Sequence, residues 1–161
     1  MISLRPAEQN DVPLILSLIR ALADYEREPD AARLTERELL RDGFGPDAWF
    51  DCIIAEADGE PAGFALYFPV YSTWEGRSLH LEDIFVKPEF RGRGIGKKLL
   101  TSVAAIAAER GCARLQWDVL DWNQPAIEFY QSLGAVMIPE WRKMRVTGDS
   151  IQALADSGAK A

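Results

Sequence analysis

One short segment constrains this chain more than any other. Arg91-Gly92-Arg93-Gly94-Ile95-Gly96 reads R-G-R-G-I-G and joins two periodic stretches. Before it, residues 79–86 have the pattern of a strand, ended by Lys87-Pro88. After it, Ile95, Leu99, Leu100, Val103 and Ile106 recur at helical spacing from about Gly94 to Arg110, with Gly111 as the stop. A strand that turns through glycines directly into a helix implies a helix laid back on a sheet. Glycines let the main chain approach an anion and take up unusual dihedrals. The first turn of the helix presents N–H groups with no partner inside the helix, and the helix dipole favours negative charge there. Arg91, Arg93, Lys97 and Lys98 add positive charge around it. Two familiar phosphate-binding patterns do not fit. A dinucleotide fingerprint needs glycine where Lys97 stands. A P-loop needs glycine in place of Arg91 and Ser or Thr in place of Lys98. A glycine-rich turn with a purely structural role is the alternative reading.

The rest of the chain fills in around this unit. Ile2 to Arg5 reads as a strand stopped by Pro6. Asn10 or Asp11 caps a helix that runs to about Glu26, with Leu14, Ile15, Leu18, Ile19 and Leu22 on one face. Thr35 and Glu38 form a capping box for a second, short helix that ends at Gly43. Residues 50–57 and 61–71 read as strands joined by the two-residue turn Asp58-Gly59. Residues 72–77 read as a loop, and 113–120 as a strand. Asn123 opens a short helix with Pro125 in its first turn and Gly134 at its end. Residues 141–146 read as a last strand, with another at 135–138. The expected order is β-α-α-β-β-β-α-β-α-β, an α/β fold (α+β, mixed sheet) with helices packed on the sheet. Residues 1–147 read as one domain, and the small, polar stretch 148–161 as a mobile or weakly helical tail.

Composition removes several function classes. With 25 acidic and 18 basic residues, the net charge is −7. That balance argues against a nucleic-acid partner, which demands a basic stripe, and suits a cationic substrate. The only histidine is His80, and the two cysteines, Cys52 and Cys112, form no CxxC pair. Nitrogen and sulfur ligands are too few for a zinc site, so no metal is expected, and there is no G-x-S-x-G nucleophile elbow. No apolar run approaches the ~18 residues of a membrane span, and the first residues carry no secretory pattern. The expected location is the cytosol.

The turn also satisfies a third pattern, [RQ]-x-x-G-x-[GA], through Arg91, Gly94 and Gly96. This is the coenzyme A loop of the GNAT superfamily of N-acetyltransferases. Beyond the turn the chain resembles one branch of that superfamily, the diamine (spermidine/spermine) acetyltransferases and the thialysine acetyltransferases. The resemblance rests on Leu22-Ala-Asp-Tyr-Glu26, the stretch from Leu34 to Gly45, Gly63-Phe-Ala65, Leu81-Glu-Asp-Ile-Phe-Val86 and the glycine turn. Trp122-Asn123, Pro125, Phe129-Tyr130 and Gly134-Ala135 complete it, so it spans roughly residues 4–145.

That resemblance implies a cofactor, acetyl-coenzyme A. Main-chain groups of Ile84, Phe85 and Val86, where the family's strand splays at a bulge, hold its pantetheine arm and thioester carbonyl. Arg91, Gly92, Arg93, Gly94, Ile95, Gly96 and Lys97 cradle its pyrophosphate, and Asn123, Pro125, Ala126 and Tyr130 line it further along. The chemistry then demands a proton acceptor, because an alkylamine with a pKa of ~10.4 is an ammonium near neutral pH and cannot attack a thioester. Glu82 and Asp83 stand side by side at the end of a strand. A regular strand sends only one of them into a cleft, unless a bulge changes the parity. Glu82 is favoured as the acceptor, directly or through a water, with Asp83 structural or cation-binding. Tyr130, a phenol protonated at physiological pH, is the expected acid for the departing thiolate. Tyr25, Glu26 and Trp74 are carried over as substrate contacts, with Trp117 and Asp118 lining the same cleft. Glu140 stands for an acidic contact in a segment shorter than in the animal polyamine enzymes.

Ser72 replaces an acidic residue that the polyamine enzymes carry two positions before the loop tryptophan. These departures touch the substrate side and leave acetyl transfer intact. A small cationic amine, polyamine-like or thialysine-like, is the expected substrate. Arg77 or Arg142 could meet a carboxylate in the latter case. A protein lysine or N-terminal acetyltransferase and a non-catalytic coenzyme A-binding regulator are the rival readings. The resemblance also implies a homodimer, which nothing in the composition shows.

Overall fold

A computed structural model describes residues 1–159 of the chain, which form two compact units, one of Met1–Leu120 and one from Asp121 onward. The first unit holds a five-stranded sheet in the order β1-β2-β3-β4-β5. Its strands are β1 (Ile2–Pro6), β2 (Asp51–Ala57), β3 (Glu60–Ser72), β4 (Gly76–Val86) and β5 (Arg114–Gln116). All neighbours run antiparallel except β4 and β5, which are parallel. Three helices cover the sheet: α1 (Val12–Tyr25), α2 (Glu36–Phe44) and α3 (Ile95–Glu109).

Local signals account for these boundaries. Pro13 sits in the first turn of α1. Thr35 and Glu38 form the expected capping box of α2, with the Glu38 amide donating to Thr35 Oγ1 at 3.2 Å and the Thr35 amide to Glu38 Oε2 at 2.9 Å. Asp58 and Gly59 both have positive φ, +54° and +85°, as a tight hairpin turn between twisted strands requires.

Strand alternation divides the core. Cys52, Ile54, Phe64, Leu66 and Phe85 pack with Val12, Ile15, Leu16 and Leu18 of α1 and Leu39 of α2. The intervening strand residues, including Ile53, Ala55, Ala65, Leu79 and Leu81, are buried with Ile95, Leu99, Leu100 and Val103 of α3. Arg110, just after α3, lies over the ring of Tyr67 at 5.7 Å, so the odd-numbered β3 residues face that helix. Burying a side chain of this size contributes roughly 1.5–3 kcal/mol, which is why the two apolar faces hold the helices against the sheet.

Three expected strands differ. The strand expected at 113–120 is only Arg114–Gln116, because β4 leaves its neighbour after His80. A strand needs a partner for its peptide groups, and the β4–β5 ladder ends at His80 and Gln116. The second unit contains α4 (Gln124–Ser132) and α5 (Asp149–Gly158). The strands expected at 135–138 and 141–146 do not form. Those residues join no ladder among the described residues, and Val136, Met137, Ile138, Trp141, Met144 and Val146 are exposed. Apolar alternation marks a chain able to pair but does not supply the partner. Within the stretch 148–161, expected as a mobile or weakly helical tail, Asp149–Gly158 forms α5, and residues 160–161 lie outside the described residues.

Candidate active site

The site begins with an irregularity in β4. Leu66 pairs with Asp83, but the next residue of β3, Tyr67, pairs with Leu81. Glu82 is therefore an extra residue, a β-bulge that places two residues of β4 against one of β3. The bulge resets the alternation. His80 precedes it on the α1 side of the sheet, with its ring 5.2 Å from that of Phe68. Asp83 follows it on that same side, next to Leu66 and Cys52. Glu82 reaches His80, with Oε2 3.2 Å from Nε2. Both acids consequently share one face, the case that a regular strand forbids.

Glu26, immediately after α1, completes an acidic cluster. Burial raises its carboxyl above the usual range, and the charge of Glu82 adds to the effect. Asp83 is raised further, to about 7, first by burial and then by the charges of Glu82 and Glu26, against a smaller opposing effect of His80. Crowded carboxylates with raised pKa values are short of positive charge, so an ammonium ligand would relieve them.

The bulge also opens the sheet. On its outer edge β4 pairs with β5 only at Ser78–His80. Past the bulge, the Lys87 amide donates to Ala62 O at 2.8 Å, which fixes the direction of each peptide group in this strand end. Phe85, two residues earlier and opposite Phe64, turns its peptide groups to β3 in the same way, and its side chain is buried in the core. Ile84 and Val86 turn away from β3. Of the three strand residues expected to hold a cofactor by their main chain, Ile84 and Val86 thus leave their peptide groups facing away from β3, while those of Phe85 are used in the ladder.

The glycine turn follows. Gly92 and Gly94 have φ of +77° and +78°, and a Cβ built on either would meet no atom within 4 Å. Here glycine meets a backbone requirement and leaves open space above the turn. The first hydrogen bond at the start of α3 runs from the Lys98 amide to Gly94 O, 3.1 Å, and no side chain caps the helix. The amides of Ile95, Gly96 and Lys97 thus stand at its positive end. This cradle fits a pyrophosphate. The cations around it are used unevenly. Arg93 donates to Asp58 at 2.8 Å, and the N-terminal amine, with Arg93 second, holds the Asp58 carboxyl down to about 2. Lys98 reaches Ile2 O at 3.4 Å. Arg91 folds back, donating to Val86 O at 2.9 Å, and its guanidinium lies over the rings of Tyr25 at 5.0 Å and Phe85 at 5.6 Å. Lys97 is exposed on the first turn. Arg91 thereby ties the phosphate cradle to the end of α1, next to Glu26.

Trp74 is exposed in the β3–β4 turn. Six strand steps, roughly 20 Å, separate that turn from Glu82, so the first unit does not bring Trp74 to the acidic cluster. Trp117 and Asp118 follow β5 in irregular chain, half-buried and exposed respectively. In the second unit Asn123 occupies the N-cap position of α4, and its side chain makes no capping bond to the helix. Pro125 and Ala126 lie in the first turn. Tyr130 is half-buried one turn beyond the buried Ile127, with its ring 5.4 Å from that of Phe129. Glu140 is exposed.

His80 was not among the residues singled out for the site. The signal was present: the chain's one histidine stands two positions before Glu82, hence on its side of a strand. A cavity of about 390 Å³ beside β1 and β2, lined by Arg5, Phe44, Phe50, Cys52, Tyr67 and others, contains none of the expected site residues. Cys52 there is an inert thiol, pushed up to about 12 by burial. Among the described residues no group of His, Cys, Asp or Glu could hold a metal ion.

Known proteins place this architecture. Residues 15–135 match the family model described as the Acetyltransferase (GNAT) family. The chain is 43% identical over 163 residues to thialysine N-epsilon-acetyltransferase of Sus scrofa, covering 94% of this chain and 96% of that protein. It is 37% identical to spermidine/spermine N(1)-acetyltransferase-like protein 1 of Homo sapiens, covering 94% of this chain and 23% of that longer protein. Among solved structures, an integron cassette protein from the mobile metagenome of V. cholerae superposes with a TM-score of 0.78 at 26% identity, covering 96% of this chain and 97% of that one. With its mixed sheet, its glycine cradle and a family match over most of its length, the chain belongs to the GNAT family of acetyltransferases.

Proposed function

We propose that this acetyltransferase moves acetyl from acetyl-coenzyme A to a primary amine of a small cationic molecule, thialysine-like or polyamine-like. One observation carries the reading: the bulge at Glu82 sets Glu82 and Asp83 on one face beside Glu26. Three carboxylates attract an ammonium, and one of them must then take its proton. Relatives named for thialysine and for spermidine/spermine point to the same class of substrate.

Enzymes of the GNAT family use acetyl-coenzyme A, which supplies the activated acetyl group when bound. The amides of residues 95–97 and the open space at Gly92 and Gly94 would hold its pyrophosphate, with Ile84 and Val86 serving the pantetheine arm. Asp83 and Glu26 bind and orient the ammonium. Glu82 accepts its proton, directly or through a water, because it is more exposed than Asp83 and stands on the bulge. An outward amide at Ile84 aimed at the thioester carbonyl oxygen would contribute ~3–4 kcal/mol to the transition state, by analogy with measured oxyanion donors. Tyr130 donates a proton to the departing thiolate. The chain is expected to act as a homodimer in the cytosol.

A thiol-release assay on spermidine, thialysine, lysine, ornithine and a lysine-containing peptide, at matched pH, tests the reading. Turnover is expected on the free cationic amines and not on the peptide. Efficient turnover of the peptide would favour a protein acetyltransferase. Bound acetyl-coenzyme A without turnover of any amine would favour a regulator and reject the proposal.

A further inference from the structure

We propose that His80 is a positioning residue for Glu82, locked as a single neutral tautomer by a hydrogen-bonded chain that runs from the β3–β4 turn to the bulge. The proposal rests on Glu82 being the proton acceptor.

The chain has four links. Arg114 Nη2 donates to Glu75 Oε1 at 3.0 Å, and Arg114 Nη1 donates to Gln116 Oε1 at 3.4 Å. Gln116 Nε2 lies 3.4 Å from His80 Nδ1, and His80 Nε2 lies 3.2 Å from Glu82 Oε2. A guanidinium only donates, so the oxygen of the Gln116 amide must face Arg114. Its NH₂ group then faces His80 and only donates, so Nδ1 must accept. The imidazole proton is left on Nε2, where it is given to the Glu82 carboxylate. The opposite tautomer would set a lone pair against that carboxylate and push it away.

Packing holds the relay in line. His80 pairs with Gln116 in the β4–β5 ladder and with Phe68 in the β3–β4 ladder, and the Phe68 ring covers the imidazole at 5.2 Å. His80 is nearly enclosed, its side chain 14% exposed, whereas that of Glu82 is 52% exposed. The enclosed imidazole favours the Glu82 rotamer that reaches it. Charged groups facing the pair are Asp83 on the same strand, Glu26 from α1 and, through Gln116, Arg114 from β5; β3 presents the uncharged Phe68.

Because His80 is the only histidine, the imidazole signals of tag-free, ¹⁵N-labelled protein need no further assignment. At pH 8 they are expected to show a protonated Nε2 and an unprotonated Nδ1, and Gln116→Leu is expected to mix the two tautomers. In turnover, His80→Leu is expected to lower kcat by on the order of tenfold with the amine KM and coenzyme A affinity little changed, in line with the cost of misplacing a reacting group. His80→Gln, whose amide also offers a donor to Glu82, is expected to restore most of that loss. A proton on Nδ1, or a wild-type mixture of tautomers, would overturn the proposal without any activity measurement. Unchanged kcat in His80→Leu alongside a large loss in Glu82→Gln would overturn the positioning role alone. Unchanged kcat in Glu82→Gln itself would remove the acceptor reading, and the positioning role with it, while the tautomer result would stand.

Discussion

Replacing Asp83 with Asn should make the protein more stable and the enzyme worse, and the size of the gain should depend on pH. The Asp83 carboxyl rises from 3.8 to about 7 on folding, chiefly because burial and the neighbouring acids penalise its charged form. A carboxyl raised in this way leaves the folded state holding more protons than the unfolded one. Stability therefore falls as pH climbs from about 3.8 to about 7 and levels off above that. Three pK units at 1.36 kcal/mol each make the full penalty about 4 kcal/mol. At pH 5 only the first part is felt, roughly 1–2 kcal/mol. Asparagine keeps the shape and never ionises. Urea titrations should thus show Asp83→Asn ahead of the wild type at both values, with the gap roughly 2–3 kcal/mol wider at pH 8 than at pH 5. The variant should also bind the amine poorly, because the penalty is what an ammonium relieves. In the wild type, KM for the amine should fall as pH rises through 7 while the amine itself stays protonated. A gap that does not change with pH, or a variant less stable at pH 8, would refute this account of the cluster.

Two further substitutions separate roles. Glu82→Gln and Tyr130→Phe should each cut kcat by roughly 10²–10⁴-fold and leave coenzyme A affinity, read by calorimetry, nearly intact; unchanged turnover in both would reject the assignment of acid and base. Gly94→Val should weaken coenzyme A binding by tenfold or more and cost on the order of 1–3 kcal/mol of stability in urea, because a β-branched residue at φ +78° is strained and its side chain would occupy the open cradle; normal affinity would place the pyrophosphate elsewhere.

Much of the first unit was legible because its signals are local. The capping box at Thr35 and Glu38, the Asp58-Gly59 turn and the R-G-R-G-I-G segment each specify their own backbone within a few residues. What was not legible depended on partners. Residues 141–146 carry an alternating pattern, but a strand exists only where another strand accepts its hydrogen bonds. The strand ending at Leu120 was overextended for the same reason: its neighbour departs at the bulge.

The site divides along that line. The order of residues alone determined that a glycine-rich turn opens a helix after the strand bearing Glu82 and Asp83, since dihedral freedom and unpaired amides belong to the residues themselves. It left open which of the two acids faces the cleft. Only the tertiary structure decided that, because the answer lies in a register shift against Leu66 and Tyr67 of the neighbouring strand. That shift puts both acids with Glu26 and gives Glu82 a histidine to lean on, through pairings between residues that no sequence spacing connects.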